Sequence, residues 1–231
     1  MAEGPRERAA RLIDGARAGG HLVLSEHDAK RVLSCYGIPV TREVLVADRS
    51  EVLAAAGEIG YPLVMKACSG EIPHKTEKGL LRLDLRSDPE ALAAFDKITA
   101  GMHGLSGAVL VQEMVAGRRE LAAGLVRDAD FGPCVMFGLG GILTEVLGDV
   151  TFRKAPLDEA EALAMLEDIE GRRILDAVRG MPAADRGQLA GLLIALGRIG
   201  LDHQAVEEID VNPVILAGSR PVAADALIVL R

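Results

Sequence analysis

Helical and strand-like hydrophobic patterns alternate along the chain. The first helical face is marked by four apolar residues at the i, i+3, i+4 and i+7 positions, which are Ala29, Val32, Leu33 and Tyr36. Ser25 stands before them as an N-cap and Gly37 after them as a stop, so the spacing predicts a helix between these two residues. A second helix is predicted to begin at Ser50 and to end at Gly60.

Strand-like runs fill the intervals between the predicted helices. In the first half they lie at 43–46, 61–67, 79–85 and 107–112, with a helix after the Ser-Asp-Pro sequence at 87–89. In the second half, strands at 120–127, 133–138 and 143–147 precede helices at 157–167, 172–178 and 183–199. Strands at 206–211, 213–216 and 221–229 complete the pattern.

This alternation predicts an α+β (α/β) fold made of two packed lobes rather than two free domains. The first lobe is expected at residues 24–108 and the second at residues 109–231. Residues 1–23 are rich in Arg, Ala and Gly, and are expected either to remain a mobile lead-in or to pack as a short helix on the second lobe.

Composition argues against several classes of protein. The formal net charge of −8 disfavours general nucleic-acid binding, which needs a basic face. No apolar run approaches the roughly 18 residues of a membrane span, and the N-terminus lacks the apolar stretch of a signal peptide. The three cysteines show no CxxC spacing, so neither a disulfide framework nor a zinc site is expected. We therefore expect a cytoplasmic protein with no membrane or nucleic-acid partner.

Two segments in the first half carry candidate chemistry. Lys66 ends an apolar strand, and is either a phosphate-binding lysine or a strand-end lysine that extends to water. His74 lies in a segment shaped by Gly and Pro at 70–80, between cations that favour its neutral form and attract phosphate. It is either a nucleophile that accepts a phosphoryl group or a solvated loop side chain.

A strand-to-turn junction offers groups that suit a nucleoside. Glu113 and Glu120 lie seven residues apart at this junction. The backbone there can pair with the edge of a base, and a carboxylate can accept hydrogen bonds from ribose hydroxyls. A solvated turn is the alternative.

Glycines and cations follow in the segment 137–154. Three glycines allow the backbone to approach a ligand or to turn tightly, and they are Gly138, Gly140 and Gly141. Arg153 and Lys154 end a short predicted strand, and are either a phosphate clamp or ordinary surface cations.

Oxygen-bearing side chains alternate near the C-terminus. Glu208, Asp210 and Asn212 occur at every second position of a predicted strand, so they project from one face. Asp225 lies in a second apolar segment, predicted to be a strand. Carboxylate and amide oxygens are ligands that Mg²⁺ prefers, and three in a row are poor core material, so the pattern favours a magnesium site.

Taken in order, these segments resemble the ATP-grasp β subunit of ADP-forming (NDP-forming) acyl-CoA synthetases, which is related to the β subunit of succinyl-CoA synthetase. The resemblance extends from about Leu24 to Leu230. The stretches that carry it are LSEHDAKRVLSCYGIPV, YPLVMKA, IPHKTEKG, VQEMV with Glu120, FGPCVMFGLGG, and EIDVNP with Asp225. It implies an ATP-grasp fold in which the nucleotide lies in the cleft between two lobes.

The resemblance also implies a role for each candidate residue. The residues expected to bind ATP or ADP are Lys66, Glu113, Met114, Val115, Glu120 and Arg153. Among these, Lys66 and Arg153 would hold phosphates, Glu120 would take the ribose, and the others would frame adenine. Mg²⁺ would be bound by Asn212 and Asp225, with Asp210 beside them.

The implied enzyme is an acid–thiol ligase. It reversibly converts acyl-CoA, ADP and phosphate to a free acid, CoA and ATP, with His74 carrying the phosphoryl group as phosphohistidine. An α subunit, expected in an α2β2 heterotetramer, would bind CoA and the acyl group.

Two other functions remain open. The loop after His74 departs from the usual HK(S/T)DxGGV of the family, because Lys78 replaces an apolar residue and Leu80 replaces a glycine. This change favours a non-catalytic or regulatory ATP-grasp nucleotide-binding module. A carboxylate–amine or carboxylate–thiol ligase of the ATP-grasp type fits less well, because the pattern begins within about 25 residues of Met1 and leaves no room for a preceding substrate domain.

Overall fold

The computed structural model describes residues 3–69, 80–102, 107–141 and 147–231. Its contacts divide the chain into two compact units. The larger unit contains the described residues up to Leu24, together with Asp28–Val40 and Val115–Arg231. The smaller unit contains Ser25–His27 and Thr41–Met114.

The regular elements with described bounds are as follows. The α-helices are α1 (Pro5–Ala18), α2 (Glu26–Cys35), α3 (Val52–Ile59), α4 (Asp88–Gly101), α5 (Glu159–Asp168) and α6 (Arg186–Asp202). The strands are β1 (Glu43–Val46), β2 (Leu63–Cys68), β3 (Leu81–Leu85), β4 (Ala108–Glu113), β5 (Glu120–Asp128), β6 (Gly132–Leu139), β7 (Val150–Lys154), β8 (Val206–Ala217), β9 (Arg220–Ala223) and β10 (Leu227–Leu230). Short 3-10 helices lie at Arg49–Glu51 and Arg172–Leu175. Within the described ranges, no helix is long and apolar enough to cross a membrane.

The smaller unit is a four-stranded antiparallel sheet with strand order β1-β4-β2-β3. Alternate residues of its strands pack with α3 and α4 in one apolar core, for example Leu63 and Met65 of β2 against Ile98 of α4. The residues between them point to the opposite face, because side chains alternate along a strand. We call that opposite side the open face of the smaller sheet.

The larger unit is built on the sheet β10-β8-β5-β6-β7, with β9 paired to β8. One face packs against α5 and α6, and Val135, Phe137 and Ile209 are among the sheet residues buried in that core. Helix α1 belongs to the same core through Ala9 and Ile13. The face opposite these core residues is the open face of the larger sheet.

Several predicted elements have different bounds in the structure. The helix expected at 172–178 is only the 3-10 turn Arg172–Leu175, because Asp176 takes an extended backbone conformation (ψ of 167°) that ends the helix. The strands expected at 206–211 and 213–216 are one strand, since Asn212 and Pro213 together face Ala122 in a β-bulge. The predicted strand at 143–147 lies outside the described residues except for Leu147.

The compact units also divide the chain differently from the predicted lobes. Most of α2 belongs to the larger unit, because Ala29, Val32 and Leu33 are buried in its core. The change from the smaller to the larger unit after β4 falls between Met114 and Val115, rather than at residue 108.

Candidate nucleotide and metal site

Strand pairing places acidic and apolar side chains together on the open face of the larger sheet. One cross-strand row runs through five strands, in the order Leu227, Asp210, Gly124, Met136 and Phe152. Leu227 and Phe152 are 40% and 50% exposed, which agrees with their position opposite the helix-covered core. Residues two positions from Asp210 along β8 share this face, so the sheet presents its oxygen-bearing side chains on the side that α5 and α6 do not cover.

Asn212 and Asp225 are brought together by a backbone hydrogen bond. The Ala224 N–H donates to the Pro213 carbonyl at 3.0 Å, which ties the segment before β10 to the middle of β8. Asp225 therefore lies in the connection between β9 and β10, and not within a strand as the sequence suggested. Its Oδ1 accepts a hydrogen bond from the Ala226 N–H at 2.8 Å.

Electrostatics at Asp210 fit a cation. Burial, together with the negative charges of Glu208 and Asp225, raises the pKa of Asp210 to about 6. A divalent cation would relieve this accumulation of negative charge.

The donor set suits Mg²⁺. Asp210, Asn212 and Asp225 offer two carboxylates and an amide oxygen, and Mg²⁺ binds such oxygens while keeping waters and phosphate oxygens in its shell. Among the described residues no group of three or more His, Cys, Asp or Glu side chains could hold a metal ion, so a closed site made only from those residue types is not present there.

A glycine turn joins the candidate metal ligands to the candidate ribose ligand. The Gly141 N–H donates to Asn212 Oδ1 at 3.2 Å, which directs the amide oxygen. A Cβ on Gly141 would lie 2.3 Å from Glu120 Oε2, and the residue has a φ of 60°. The Gly140 N–H donates to the Glu120 carbonyl at 2.9 Å. Glu120 is exposed at the start of β5, so its carboxylate is open to a ligand.

Arg153 lies on the other face of the larger sheet. It pairs across the strands with Val135, whose side chain is buried in the core beneath α5 and α6. Its guanidinium forms an ion pair with Asp168 at the end of α5. The structure therefore does not bring Arg153 together with Asp210, whereas exposed Lys154 shares the open face through pairing with Cys134.

Lys66 is buried on the open face of the smaller sheet. Its Nζ is 2.8 Å from Glu26 Oε1, and the two side chains are 7% and 1% exposed. A second pair lies beside it, with His27 Nδ1 2.9 Å from Glu43 Oε1. Glu26 was not predictable as part of the site, because an acidic residue in the first turn of a helix is common and gives no separate signal.

Glu113 is engaged by Arg42. Its carboxylate accepts hydrogen bonds from the Arg42 N–H at 2.9 Å and from Arg42 Nε at 3.0 Å. The Met114 N–H donates to the Pro62 carbonyl at 3.2 Å. The hydrogen bonds between described residues leave the Met114 carbonyl and both backbone groups of Val115 available, which supplies an acceptor and a donor for the edge of a base.

His74 lies outside the described residues, together with Lys78. Leu80 begins the described chain after them and is 2% exposed in the core of the smaller unit. Its carbonyl accepts a hydrogen bond from the Ala67 N–H at 3.0 Å. The residue that replaces a family glycine is thus an anchor for the start of β3.

Comparison with known proteins identifies the family. A sequence profile described as the ATP-grasp domain matches residues 15–230. The chain belongs to the ATP-grasp family. The fold expected from the sequence is therefore confirmed.

Similar proteins narrow the group further. The β subunit of ADP-forming acetate–CoA ligase I from Pyrococcus furiosus is 36% identical over 228 residues, which cover 96% of this chain and 98% of that subunit. The ADP-forming acetate–CoA ligase I of Archaeoglobus fulgidus is 38% identical, over 97% of this chain but only 33% of its own length. The chain thus spans nearly all of a separate β subunit and about a third of a longer ligase. These similarities confirm the predicted resemblance to the β subunits of ADP-forming acyl-CoA synthetases.

A solved structure agrees with the same assignment. Acetyl-coenzyme A synthetase 1 of Ca. Korarchaeum cryptofilum has a TM-score of 0.91 and 38% identity, covering 96% of this chain and 100% of that one. That enzyme has been solved with coenzyme A and Mg-AMPPCP, its phosphohistidine segment pointing towards the nucleotide binding site. It has also been solved with the segment phosphorylated.

Proposed function

We propose that this chain is the nucleotide-binding β subunit of an ADP-forming acyl-CoA synthetase, an acid–thiol ligase that uses Mg-ADP and Mg-ATP. The observation that carries the proposal is the arrangement of Asp210, Asn212 and Asp225. Three oxygen donors meet around a bulged strand, one of them a carboxyl group whose charge is disfavoured unless a cation is near. This arrangement occurs in a chain that matches β subunits of such ligases over nearly its full length.

Different described residues would bind the phosphates, the base and the ribose of the nucleotide. Lys66 would hold phosphate oxygens by charge-assisted hydrogen bonds. The backbone of Met114 and Val115 would pair with the base, and Glu120 would accept hydrogen bonds from the ribose. Glu113 would support the base-binding segment indirectly, because its carboxylate fixes Arg42.

Magnesium would supply charge neutralisation of the phosphate oxygens. Asn212 and Asp225 would hold it, with Asp210 beside them. Gly141 would keep the Asn212 amide oxygen directed correctly, because its N–H occupies one lone pair of that oxygen. Lys154 is better placed than Arg153 to add a positive charge on the open face of the larger sheet.

His74 would carry the phosphoryl group. A ring nitrogen would attack the terminal phosphorus of ATP, so that an N–P bond forms while the bond from that phosphorus to the ADP oxygen breaks. The reverse step returns the phosphoryl group to ADP. An α subunit would bind CoA and the acyl group, and we propose an α2β2 assembly.

Phosphorylation of the intact chain tests this function. Incubation with γ-labelled Mg-ATP and a competent α partner should give a label that is lost in acid, and the His74→Asn variant should remain unlabelled. Thermal unfolding of the variant with and without Mg-ADP serves as the control, because loss of the histidine should leave nucleotide binding intact. An unlabelled wild-type chain that still binds Mg-ATP would rule out the histidine relay.

A regulatory nucleotide-binding module is the second candidate. Burial of Leu80 favours it, because the side chain fixes the end of the His74 segment to the core of the smaller unit. This function predicts Mg-nucleotide binding without phosphohistidine, so the labelling experiment separates the two candidates.

A further inference from the structure

The buried ion pair between Glu26 and Lys66 joins the first residue of α2 to the middle of the smaller sheet. The two residues are 40 positions apart in sequence, and their charged atoms are 2.8 Å apart. Lys66 lies between Leu81 of β3 and Leu110 of β4 in the strand register. The residues opposite Lys66 on both neighbouring described strands are therefore apolar.

Stability alone does not explain this pair. Removing two charges from water costs about as much as their attraction returns, and apolar replacements of similar volume are often neutral or stabilising. Losing only one partner is unfavourable, because the other charge remains buried. The pair is therefore best explained by a function that needs the ammonium itself.

We propose that Glu26 is a positioning residue that keeps the Lys66 ammonium charged and directed for a nucleotide phosphate. This inference deepens the proposed function and rests on it. Burial favours the neutral form of a lysine, and a carboxylate within hydrogen-bond distance opposes that effect. Glu26 thus supplies the negative charge that keeps Lys66 cationic before the phosphate arrives.

Several charged and titratable groups lie near this pair in the described part of the chain. His27 follows Glu26 on α2 and is paired with Glu43 of β1 at 2.9 Å. Lys30 lies one turn further along α2 on the side of Glu26. Cys68 shares the face of β2 with Lys66, while the adjacent positions of β3 and β4 are leucines. The matched control is therefore Glu43→Gln, which removes a carboxylate from the same sheet face and leaves Glu26 in place.

Calorimetry of Mg-ADP binding to the full chain between pH 7.5 and 9.5 tests the proposal. Wild type and Glu43→Gln should keep a roughly constant Kd across this range. In Glu26→Gln, the affinity for Mg-ADP should fall by about tenfold for each pH unit above the pH at which Lys66 loses its proton. Buried lysines without a partner can have pKa values as low as about 5 to 6. Glu26→Asp keeps the negative charge and should follow wild type more closely than Glu26→Gln does.

Parallel pH dependence of wild type and Glu26→Gln would overturn the role of Glu26. An equally steep dependence of the Kd on pH in Glu43→Gln would also overturn the role of Glu26, because any carboxylate on that face would then have the same effect. Failure of the wild-type chain to bind Mg-ADP at any pH would instead refute the proposed nucleotide function, and the inference with it.

A double variant keeps the test valid if Glu26→Gln does not fold. Glu26→Gln/Lys66→Met buries neither charge and is compared with Lys66→Met alone. Neither protein has a lysine at position 66 that could lose a proton, so if Glu26 acts through Lys66, the Kd of each for Mg-ADP should stay roughly constant between pH 7.5 and 9.5. A Kd of the double variant that still rises steeply with pH would show that Glu26 acts by another route.

Discussion

Replacing Asp210 by Asn should stabilise the free protein and weaken its binding of Mg-nucleotide. Burial, together with Glu208 and Asp225, raises the pKa of Asp210 from 3.8 to about 6. At about 1.4 kcal/mol for each pH unit, this corresponds to roughly 3 kcal/mol, and residual solvent contact reduces the expectation to on the order of 2 kcal/mol. The carboxyl group thus destabilises the folded state whenever it is ionised.

The direction in which stability changes with pH follows from proton uptake on folding. Because the folded pKa is the higher one, the folded protein holds a proton that the unfolded chain has already lost between pH 3.8 and about 6. Folded-state stability therefore falls as pH rises through this window, and the penalty is complete near neutral pH.

Urea unfolding without Mg²⁺ at pH 4 and pH 7.5 is the assay. Asp210→Asn should unfold at higher urea than wild type at pH 7.5, and the advantage should nearly disappear at pH 4. Saturating Mg-ADP should then stabilise wild type more than the variant, because Mg²⁺ loses an adjacent carboxylate. Glu208→Gln is the control, with a smaller effect in the same direction. A variant that is no more stable than wild type at pH 7.5 would refute the reasoning.

Three further substitutions test neighbouring contacts. Gly141→Ala should reduce Mg-ADP affinity by about tenfold in calorimetry, because its positive φ and the contact with Glu120 both oppose a side chain. Leu80→Gly should lower the urea-derived unfolding free energy by about 3 kcal/mol or more, since the side chain is fully packed. Arg153→Ala should change Mg-ADP affinity by less than about twofold, because an exposed pair with Asp168 on the covered face contributes little. A large loss of Mg-ADP affinity in Arg153→Ala would show that Arg153 does take part in nucleotide binding.

Local patterns in the sequence predict much of the fold. The strand Glu43–Val46 and the helix that ends before Gly37 follow directly from the hydrophobic periodicity and from the residues that cap or end each element. The alternation of Asp210 and Asn212 predicts their shared face, because strand parity requires no knowledge of the partner strand. The bulge at Pro213 was not predictable in the same way, since it depends on which residue of β5 lies opposite.

The alternation of side chains along a strand also explains why the sequence could not show which cation at the end of β7 lies on the open face. Arg153 and Lys154 are adjacent, so one of them must point towards α5 and α6 and the other away. Only the pairing of Val135 with Arg153 decides which, because Val135 is buried in the core. A residue type that suits phosphate is therefore insufficient evidence for a phosphate contact.

Pairing of charges that are far apart in sequence is the other feature that could not be predicted. The sequence predicts that Lys66 either extends to water or binds a phosphate. The structure supplies Glu26 from a helix 40 positions earlier, and so gives the buried Lys66 side chain a carboxylate partner at 2.8 Å. Burial disfavours the charged form of a lysine, and a neighbouring carboxylate opposes that effect even before a phosphate binds. The same reasoning applies in reverse at Asp210, where burial and the charges of Glu208 and Asp225 raise the pKa of the carboxyl group, and the divalent cation that we propose there would offset these charges.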